Sequence, residues 1–340
     1  MNDSRLTKTD SRLTKVAGFL RLIRVVNSCA VFVATFVGGL LSVGGQVFSG
    51  TRQLLAENGQ PLARSGGLLS AQGGLASARA EFGTIALAAA SMAFVAAFGY
   101  ALNDYYDASA DAVNRPSRPI PSGMLSRKSV LGVAVFCLLA AALFALKLGV
   151  ILQLALAGAC GLVWLYSARI KRTGLGGNVV VSLLAASTLL FGGLSAGYVR
   201  PTFFPALLAL LTNLPREILK DVQDLKGDSL AGGRSVVSAR GERFALRLAS
   251  VCMLVLVLVS FVPYLGGLYN RYYLAIVLLL DALLGWVGVT MWDVAARLGT
   301  GSERLVPGGG PDMEHRLATA IRILKLTMLA GLLAIGLGSI

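Results

Sequence analysis

Two groups of side chains in this chain can do metal chemistry. The first is the run Asn103-Asp104-x-x-Asp107-x-x-x-Asp111, and the second is Asp221-x-x-Asp224-x-x-x-Asp228. Spacings of three and four place the oxygen-bearing side chains of each group on roughly one helix face. Oxygen ligands in this number suit Mg²⁺, a hard cation held by a few carboxylates together with substrate phosphates and water. Asn103, Asp107, Asp111, Asp221, Asp224 and Asp228 are therefore the candidate metal-ligating and catalytic residues. Both groups lie at the end of an apolar segment, where uncompensated carboxylates repel one another and resist desolvation. A metal-bridged diphosphate relieves both costs.

Cationic side chains stand close to each group in sequence. The loop Asn114-Arg115-Pro116-Ser117-Arg118-Pro119-Ile120-Pro121-Ser122-Gly123 contains three prolines that set a stiff, extended path for Arg115 and Arg118. Arginine donates bidentate hydrogen bonds to phosphate oxygens. A second basic site is Tyr166-Ser167-x-x-Ile170-Lys171-Arg172-Thr173, in which Lys171 and Arg172 can meet a phosphate and Tyr166 can face the reacting carbon. Lys220 flanks the second acidic group, with Lys226 and Arg234 as weaker candidates of the same type. For all of these, ordinary loop charge or interfacial anchoring is the competing account. Taken together the residues predict ionisation of a lipid diphosphate. Mg²⁺ and cations would stabilise the departing diphosphate, while apolar helices keep water from an allylic cation. The aromatic faces available to that cation are Tyr100, Tyr105, Tyr106, Tyr166 and Trp164.

These groups must be positioned by a membrane bundle. The 340 residues are 55% hydrophobic and only 14% charged, with a mean hydropathy of +0.71, outside the soluble range. Apolar stretches occur near 25–45, 83–102, 129–146, 149–168, 176–198, 202–219, 244–266, 272–291 and 318–338. Each is about 20 residues, enough to span roughly 30 Å of hydrocarbon. The expected fold is an all-α polytopic bundle of nine transmembrane helices around a central cavity with a cytoplasmic cap. The sixth span is the weakest, since Pro215, Arg216 and Glu217 interrupt it. The 40 glycines let helices approach closely.

With the N-terminus inside, all of the 31 Lys and Arg except Arg52, Arg64, Arg79, Lys147, Arg200 and Arg271 fall on the cytoplasmic side or in adjoining helix ends, as the positive-inside rule favours. The net charge of +14 is thus mainly a topology signal, with attraction to anionic lipid or a phosphorylated substrate as a second contribution. Function belongs at the cytoplasmic mouth, where the loops 103–128, 169–175, 220–243 and 297–317 hold most of the charge. Residues 1–16 read as a polar cytoplasmic tail carrying SRLTK twice, and 46–81 as an external loop with a short surface helix. The first apolar segment lacks a clear cleavage site and is followed by further spans, which argues against a signal peptide. Cys29, Cys137, Cys160 and Cys252 lie singly in apolar runs without CxxC spacing, so they read as small buried hydrophobes and zinc is not expected. His315 stands alone at a helix start, and no nucleic-acid module is present. A divalent-cation transporter is the alternative from another class, but the acids sit at the cytoplasmic ends and no inverted repeat is evident.

From about residue 17 to the C-terminus the chain resembles the UbiA superfamily of intramembrane prenyltransferases. The resemblance rests on Asn103-Asp104-Tyr105-Tyr106-Asp107-Ala108-Ser109-Ala110-Asp111, the Arg-Pro loop, Tyr166-Ser167 with Lys171-Arg172 and Gly177-Asn178, and Asp221 through Asp228. It implies one domain over 17–340 and a lateral opening to the bilayer. It also implies Mg²⁺-dependent transfer of a prenyl group from its diphosphate. The matched positions assign Asn103, Asp107 and Asp111 to one metal-diphosphate site and Asp221, Asp224 and Asp228 to the other. Arg115, Lys171 and Arg172 become phosphate contacts, and Asp104 a supporting residue. The Asn114–Gly123 loop and the Arg216–Asp228 segment are most similar to archaeal digeranylgeranylglyceryl phosphate synthases. That similarity implies geranylgeranyl diphosphate as donor and geranylgeranylglyceryl phosphate as acceptor, in a cell membrane. Quinone-forming aromatic prenyltransferases and chlorophyll synthases are the alternatives within the superfamily. The chain departs from the pattern at Gln223, where an acid is common, and in its longer first external loop. Donor length, the proton acceptor and oligomeric state stay open.

Overall fold

The structure, a computed structural model, describes residues 14–58, 69–230, 234–298 and 311–339. The side chains of 46–58, 69–80, 226–230 and 311–313 lie outside that description, as do residues 1–13 of the polar tail. The helices run in the order α1 (14–22), α2 (Val25–Asn58), α3 (Leu69–Tyr106), α4 (Ala108–Asn114), α5 (Arg127–Ala145), α6 (Val150–Ala168) and α7 (Leu175–Ser195). They continue with α8 (Phe203–Leu230), α9 (Val236–Arg240), α10 (Glu242–Ser260), α11 (Val262–Leu265), α12 (Arg271–Arg297) and α13 (Pro311–Gly338). Among the described residues eight helical segments are long and apolar enough to cross a membrane, with α1 and α2 counting as one, Thr14–Gly45. The protein is an all-α polytopic membrane protein. Its outward side chains are apolar, as at Leu139, Leu143, Ile151, Leu154, Leu258 and Leu279, which face hydrocarbon and not water.

The sixth expected span does not meet that standard. It is part of α8, a 28-residue helix with Pro215 inside it, and Arg216, Glu217, Lys220 and Asp221 lower its hydropathy. α8 runs on past the expected end at 219, which places the second acidic group on a helix. The segment read as an external loop also differs. The backbone is helical to Asn58 and again from Leu69, where Ala, Leu and Gln favour helix and outweigh the glycines.

Small residues set the helix spacing where α2 crosses α7. A Cβ on Gly38 would lie 2.3 Å from the Leu189 carbonyl oxygen, and one on Gly192 only 1.9 Å from that of Thr35. Backbone therefore rests on backbone, the small-residue contact that holds membrane helices in the absence of a hydrophobic force between them. A core of Ile218, Leu219, Leu246, Met253, Leu284, Met291 and Leu324 joins α8, α10, α12 and α13. A second core, with Leu22, Ala101, Val130 and Cys137, ties α1 to α3 and α5. The cysteines are all free; Cys137 is buried as expected, but Cys29 is exposed on α2.

Local chemistry sets the turns beneath the site. Ser126 starts α5 by accepting from the Ser129 N–H at 3.1 Å, and Ser235 and Ser238 cap α9 reciprocally. Between them, the turn after α6 pairs with the segment after α8, and Gly174, at φ +70°, donates its N–H to the Arg234 carbonyl at 2.9 Å. That left-handed conformation favours glycine. Two loops distant in sequence are thereby joined across one end of the bundle.

Candidate active site at the mouth of the bundle

A cavity of about 370 Å³ opens at this end, lined at its mouth by Asn103, Arg115, Arg118, Lys171, Asp221 and Asp224. Deeper in, its walls are apolar, from Val31, Val95, Val163, Leu184, Leu208 and Leu284. The far end is closed around fully buried Tyr273, whose hydroxyl donates to the Ser260 carbonyl at 2.7 Å. Ser260 in turn donates to Asp281 at 2.8 Å.

The first acidic group straddles a break and does not occupy one continuous helix. α3 ends at Tyr106, and Asp107 is the N-cap of α4. The fourfold register survives, because Asp107 N–H donates to the Asn103 carbonyl at 2.9 Å and Asp111 N–H to that of Asp107 at 2.8 Å. The break is where cations enter. Lys171 Nζ donates to Asn103 Oδ1 at 3.1 Å and forms an ion pair with Asp107, across 64 residues of sequence. Arg118 pairs with Asp111 and lies 3.2 Å from Asp104, which is itself 2% exposed. Burial pushes the Asp111 carboxyl above the usual carboxylate range, and the Arg118 guanidinium pulls it partly back. For Arg118, burial opposes the charge but Asp104 and Asp111 more than offset it, so its already high value rises.

The second group faces the first. Arg115 Nη2 donates to both oxygens of Asp224, at 2.9 and 2.7 Å, and Asn114 Nδ2 donates to the Asp224 carbonyl at 2.7 Å. The loop that follows the first group is thus clamped onto the helix that carries the second. Asp221 differs from the other acids here. Its Oδ2 accepts from Asn178 Nδ2 at 2.9 Å, and among the described residues no cation stands within ion-pair distance of it, although the Lys220 charge acts on it. Glu217 takes Arg216 at 2.8 Å and Lys220 at 2.6 Å, so Lys220 reaches the cavity already paired.

Several expected residues are placed elsewhere. Arg172 is exposed and does not line the cavity; the tight turn Ile170–Arg172 directs Lys171 inward and its neighbour outward. Asp107 and Asp111 stand behind Lys171 and Arg118 and do not line the cavity themselves. Asp228 belongs to α8, but its side chain is outside the described residues. Of the aromatic residues, Tyr100 and Tyr166 line the cavity, while Tyr105, Tyr106 and Trp164 do not. Trp164 is 51% exposed on the outer face of α6.

Other residues at the mouth were not read from sequence as site residues: Arg24, Asn27, Asn178, Asn213 and Arg216. Two of them carried a signal, Asn178 in the Gly177-Asn178 pair and Arg216 at the start of the Arg216–Asp228 segment. Gly177 itself is explained by packing, since a Cβ there would lie 2.9 Å from the Ile170 carbonyl oxygen and 3.0 Å from that of Lys171.

Among the described residues no three Asp, Glu, His or Cys side chains converge closely enough to hold a metal on their own. The cations interposed at Asp107, Asp111 and Asp224 account for this. The donor set is nevertheless all oxygen, and among the described residues Asp221 forms no direct ion pair, which fits a hard cation carried in with its own phosphates.

The UbiA prenyltransferase family model matches residues 63–297. The chain is 40% identical over 260 residues to the digeranylgeranylglyceryl phosphate synthase of Methanopyrus kandleri, covering 73% of this chain and 84% of that protein. It is 38% identical over 261 residues to the enzyme of that name from Hyperthermus butylicus, covering 73% and 82%. A solved structure described as giving insight into digeranylgeranylglyceryl phosphate synthase in membranes shares the fold. Its TM-score is 0.61 at 22% identity, over 96% of this chain and 98% of that one. The model match, the relatives and the shared fold agree with the paired acidic groups at the cavity mouth: this chain belongs to the UbiA prenyltransferase family.

Proposed function

We propose that the protein transfers a geranylgeranyl group from geranylgeranyl diphosphate to geranylgeranylglyceryl phosphate, forming digeranylgeranylglyceryl phosphate, with Mg²⁺ as cofactor. The observation that carries this reading is the clamp of Arg115 and Asn114 onto Asp224. It brings the two acidic groups together over one apolar-walled cavity. The two relatives bearing the synthase name, each matched over more than four fifths of its length, support the acceptor and donor.

Asn103, Asp107 and Asp111 on one side, with Asp221, Asp224 and Asp228 on the other, are the residues that would hold Mg²⁺. Bound there, Mg²⁺ supplies charge stabilisation to the departing diphosphate. Arg115 and Lys171 donate to diphosphate oxygens as the C1–O bond breaks, and their fixed positions avoid reorganisation during the step. The apolar walls hold the prenyl tail and exclude water, and the ring faces of Tyr100 and Tyr166 favour the allylic cation. The acceptor hydroxyl bonds to C1 and gives up its proton to an oxygen base at the mouth. Asn178 holds Asp221 in place for this chemistry.

In this reading α8 is a crossing as well, the sixth in chain order, and brings the count to nine. At 28 residues it is long enough, about 42 Å by helix rise, and its apolar N-terminal half packs against α7 and α10. With α8 as a crossing, the polar tail 1–16 and the loops of the mouth fall on one side of the membrane, and the distribution of basic residues supports that side being cytoplasmic. The remainder, 17–340, forms one prenyltransferase domain.

The test is acceptor-dependent consumption of geranylgeranyl diphosphate by the purified protein with Mg²⁺, products being identified by mass. Geranylgeranylglyceryl phosphate should give the digeranylgeranyl ether. A product formed instead from 4-hydroxybenzoate or a naphthoate would move the protein to quinone synthesis and overturn the acceptor assignment.

A further inference from the structure

The two substrates of the proposed reaction both carry phosphate, and one cationic site cannot hold both without bringing like charges together. The mouth described above spends Arg115 and Lys171 on one anion. A separate pocket of about 290 Å³ lies beside it, lined by Arg21, Arg24, Asp104, Ser117, Arg118 and Pro119. Three guanidinium groups face one carboxylate there. Arg24 donates to Asp104 Oδ1 at 2.9 Å, and Arg118 lies 3.2 Å from the same oxygen. Arg21 has no acidic partner among the described residues; its side chain reaches only Met124 Sδ, at 3.9 Å. Arg118 is also paired with Asp111, so two carboxylates balance two of the three guanidinium groups and the pocket keeps one surplus positive charge, on Arg21. Ser117 adds a hydroxyl, and a phosphate monoester matches this set of planar and small donors.

The backbone here carries strain. Arg24 has φ +45°, the only positive φ at a non-glycine residue among those described. α1 ends at Leu22, and this conformation turns the chain so that α2 starts at Val25. The Arg24 side chain is thereby directed back over α3, where its guanidinium lies 4.8 Å from the centroid of the Tyr100 ring. A non-glycine residue held in the left-handed region is strained, and such residues cluster where a ligand is gripped. Arg24 and Arg118 also line the main cavity, so the two guanidinium groups form a shared wall between the spaces.

The geometry points to this pocket as the phosphate site of the acceptor, a phosphomonoester lipid headgroup held by Arg21, Arg24 and Arg118. This inference rests on the proposed transfer to a phosphorylated acceptor. A headgroup anchored there lies across that wall from the cavity, with its hydroxyl directed to the reacting carbon. Asp104 then acts as a positioning residue for Arg24 and Arg118 and not as a metal ligand.

The test uses the full chain in nanodiscs of neutral lipid, with steady-state kinetics on Arg21→Gln, Arg24→Lys and Arg21→Lys. Each is measured with geranylgeranylglyceryl phosphate and with phosphate-free geranylgeranylglycerol. Arg21 is exposed on α1, so its replacement leaves the core intact and keeps the test clean if an Arg24 variant folds poorly. In Arg21→Gln the acceptor KM should rise about tenfold, the loss of one charge-assisted contact, while the donor KM changes less than twofold. Preference for the phosphorylated acceptor should fall by the same factor, and Arg21→Lys should recover most of it. A parallel rise in donor KM would assign the pocket to the diphosphate and overturn the inference. So would unchanged acceptor preference, or an effect that appears only when anionic lipid is added to the discs. If the wild-type protein forms no ether product from the phosphorylated acceptor, the functional reading fails and the acceptor site fails with it. A wild type that turns over normally beside unaffected variants sinks the pocket alone.

Discussion

Arg115→Ala separates two roles that one side chain holds. In the structure Arg115 grips both oxygens of Asp224, at 2.9 and 2.7 Å, with the two side chains 30% and 17% exposed. Removing one partner of a fully buried pair costs about 3–5 kcal/mol, whereas an exposed pair contributes about 0.2–1 kcal/mol. The intermediate exposure puts the loss of folding stability near 1–2 kcal/mol. It should fall at the lower end, because Asn114 still donates to the Asp224 carbonyl at 2.7 Å and keeps the loop on α8. The loss in catalysis should be larger. A preorganised donor at developing negative charge is worth roughly 10²–10³ in rate, so kcat/KM should fall about a hundredfold. Arg115→Lys keeps the charge but not the fork, and should fall between the two. The assay pairs kcat/KM for geranylgeranyl diphosphate at several Mg²⁺ concentrations with the thermal midpoint of the same preparation. A variant within threefold of wild-type kcat/KM would refute the argument and leave Arg115 as a charge that sets topology.

Asp107→Ala and Asp224→Ala should each abolish Mg²⁺-dependent turnover while the purified protein keeps its helical circular dichroism; near-normal turnover in either removes that residue from the metal site. Gly177→Ala should lower kcat/KM about tenfold by pushing the Ile170–Arg172 turn, and Lys171 with it, off α7, since the added Cβ would lie 3.0 Å from the Lys171 carbonyl oxygen. Unchanged kinetics would show that Lys171 tolerates the shift. Gly192→Ala should destabilise the bundle by about 1–3 kcal/mol or more, because its Cβ would sit 1.9 Å from the Thr35 carbonyl oxygen and force α2 from α7. A thermal midpoint equal to wild type would contradict this packing.

The membrane bundle and the two acidic groups could be read from the chain alone because both are local patterns. An apolar span is a property of about 20 consecutive residues, and the oxygen-bearing faces follow from spacings of three and four. The stiff Arg-Pro loop is local too, and so is the polar interruption that weakens the sixth span. Partnership is different. Lys171 meets Asp107 across 64 residues, Arg24 meets Asp104 across 80, and Arg115 meets Asp224 across 109. Nothing in the neighbourhood of Arg24 distinguishes it from the other juxtamembrane basic residues of the N-terminal segment. Only the turn before α2 and the packing of α1 on α3 bring it to the mouth. Lys171 and Arg172 are adjacent and equally charged in sequence, yet one lines the cavity and the other is exposed. The chain by itself thus determined the fold class, the two acidic groups and most of the cations beside them. The tertiary structure decided which cation holds which acid and which side chains reach the substrate, because those outcomes depend on helix crossing and rotation, set by contacts such as Gly192 on Thr35, far apart along the chain.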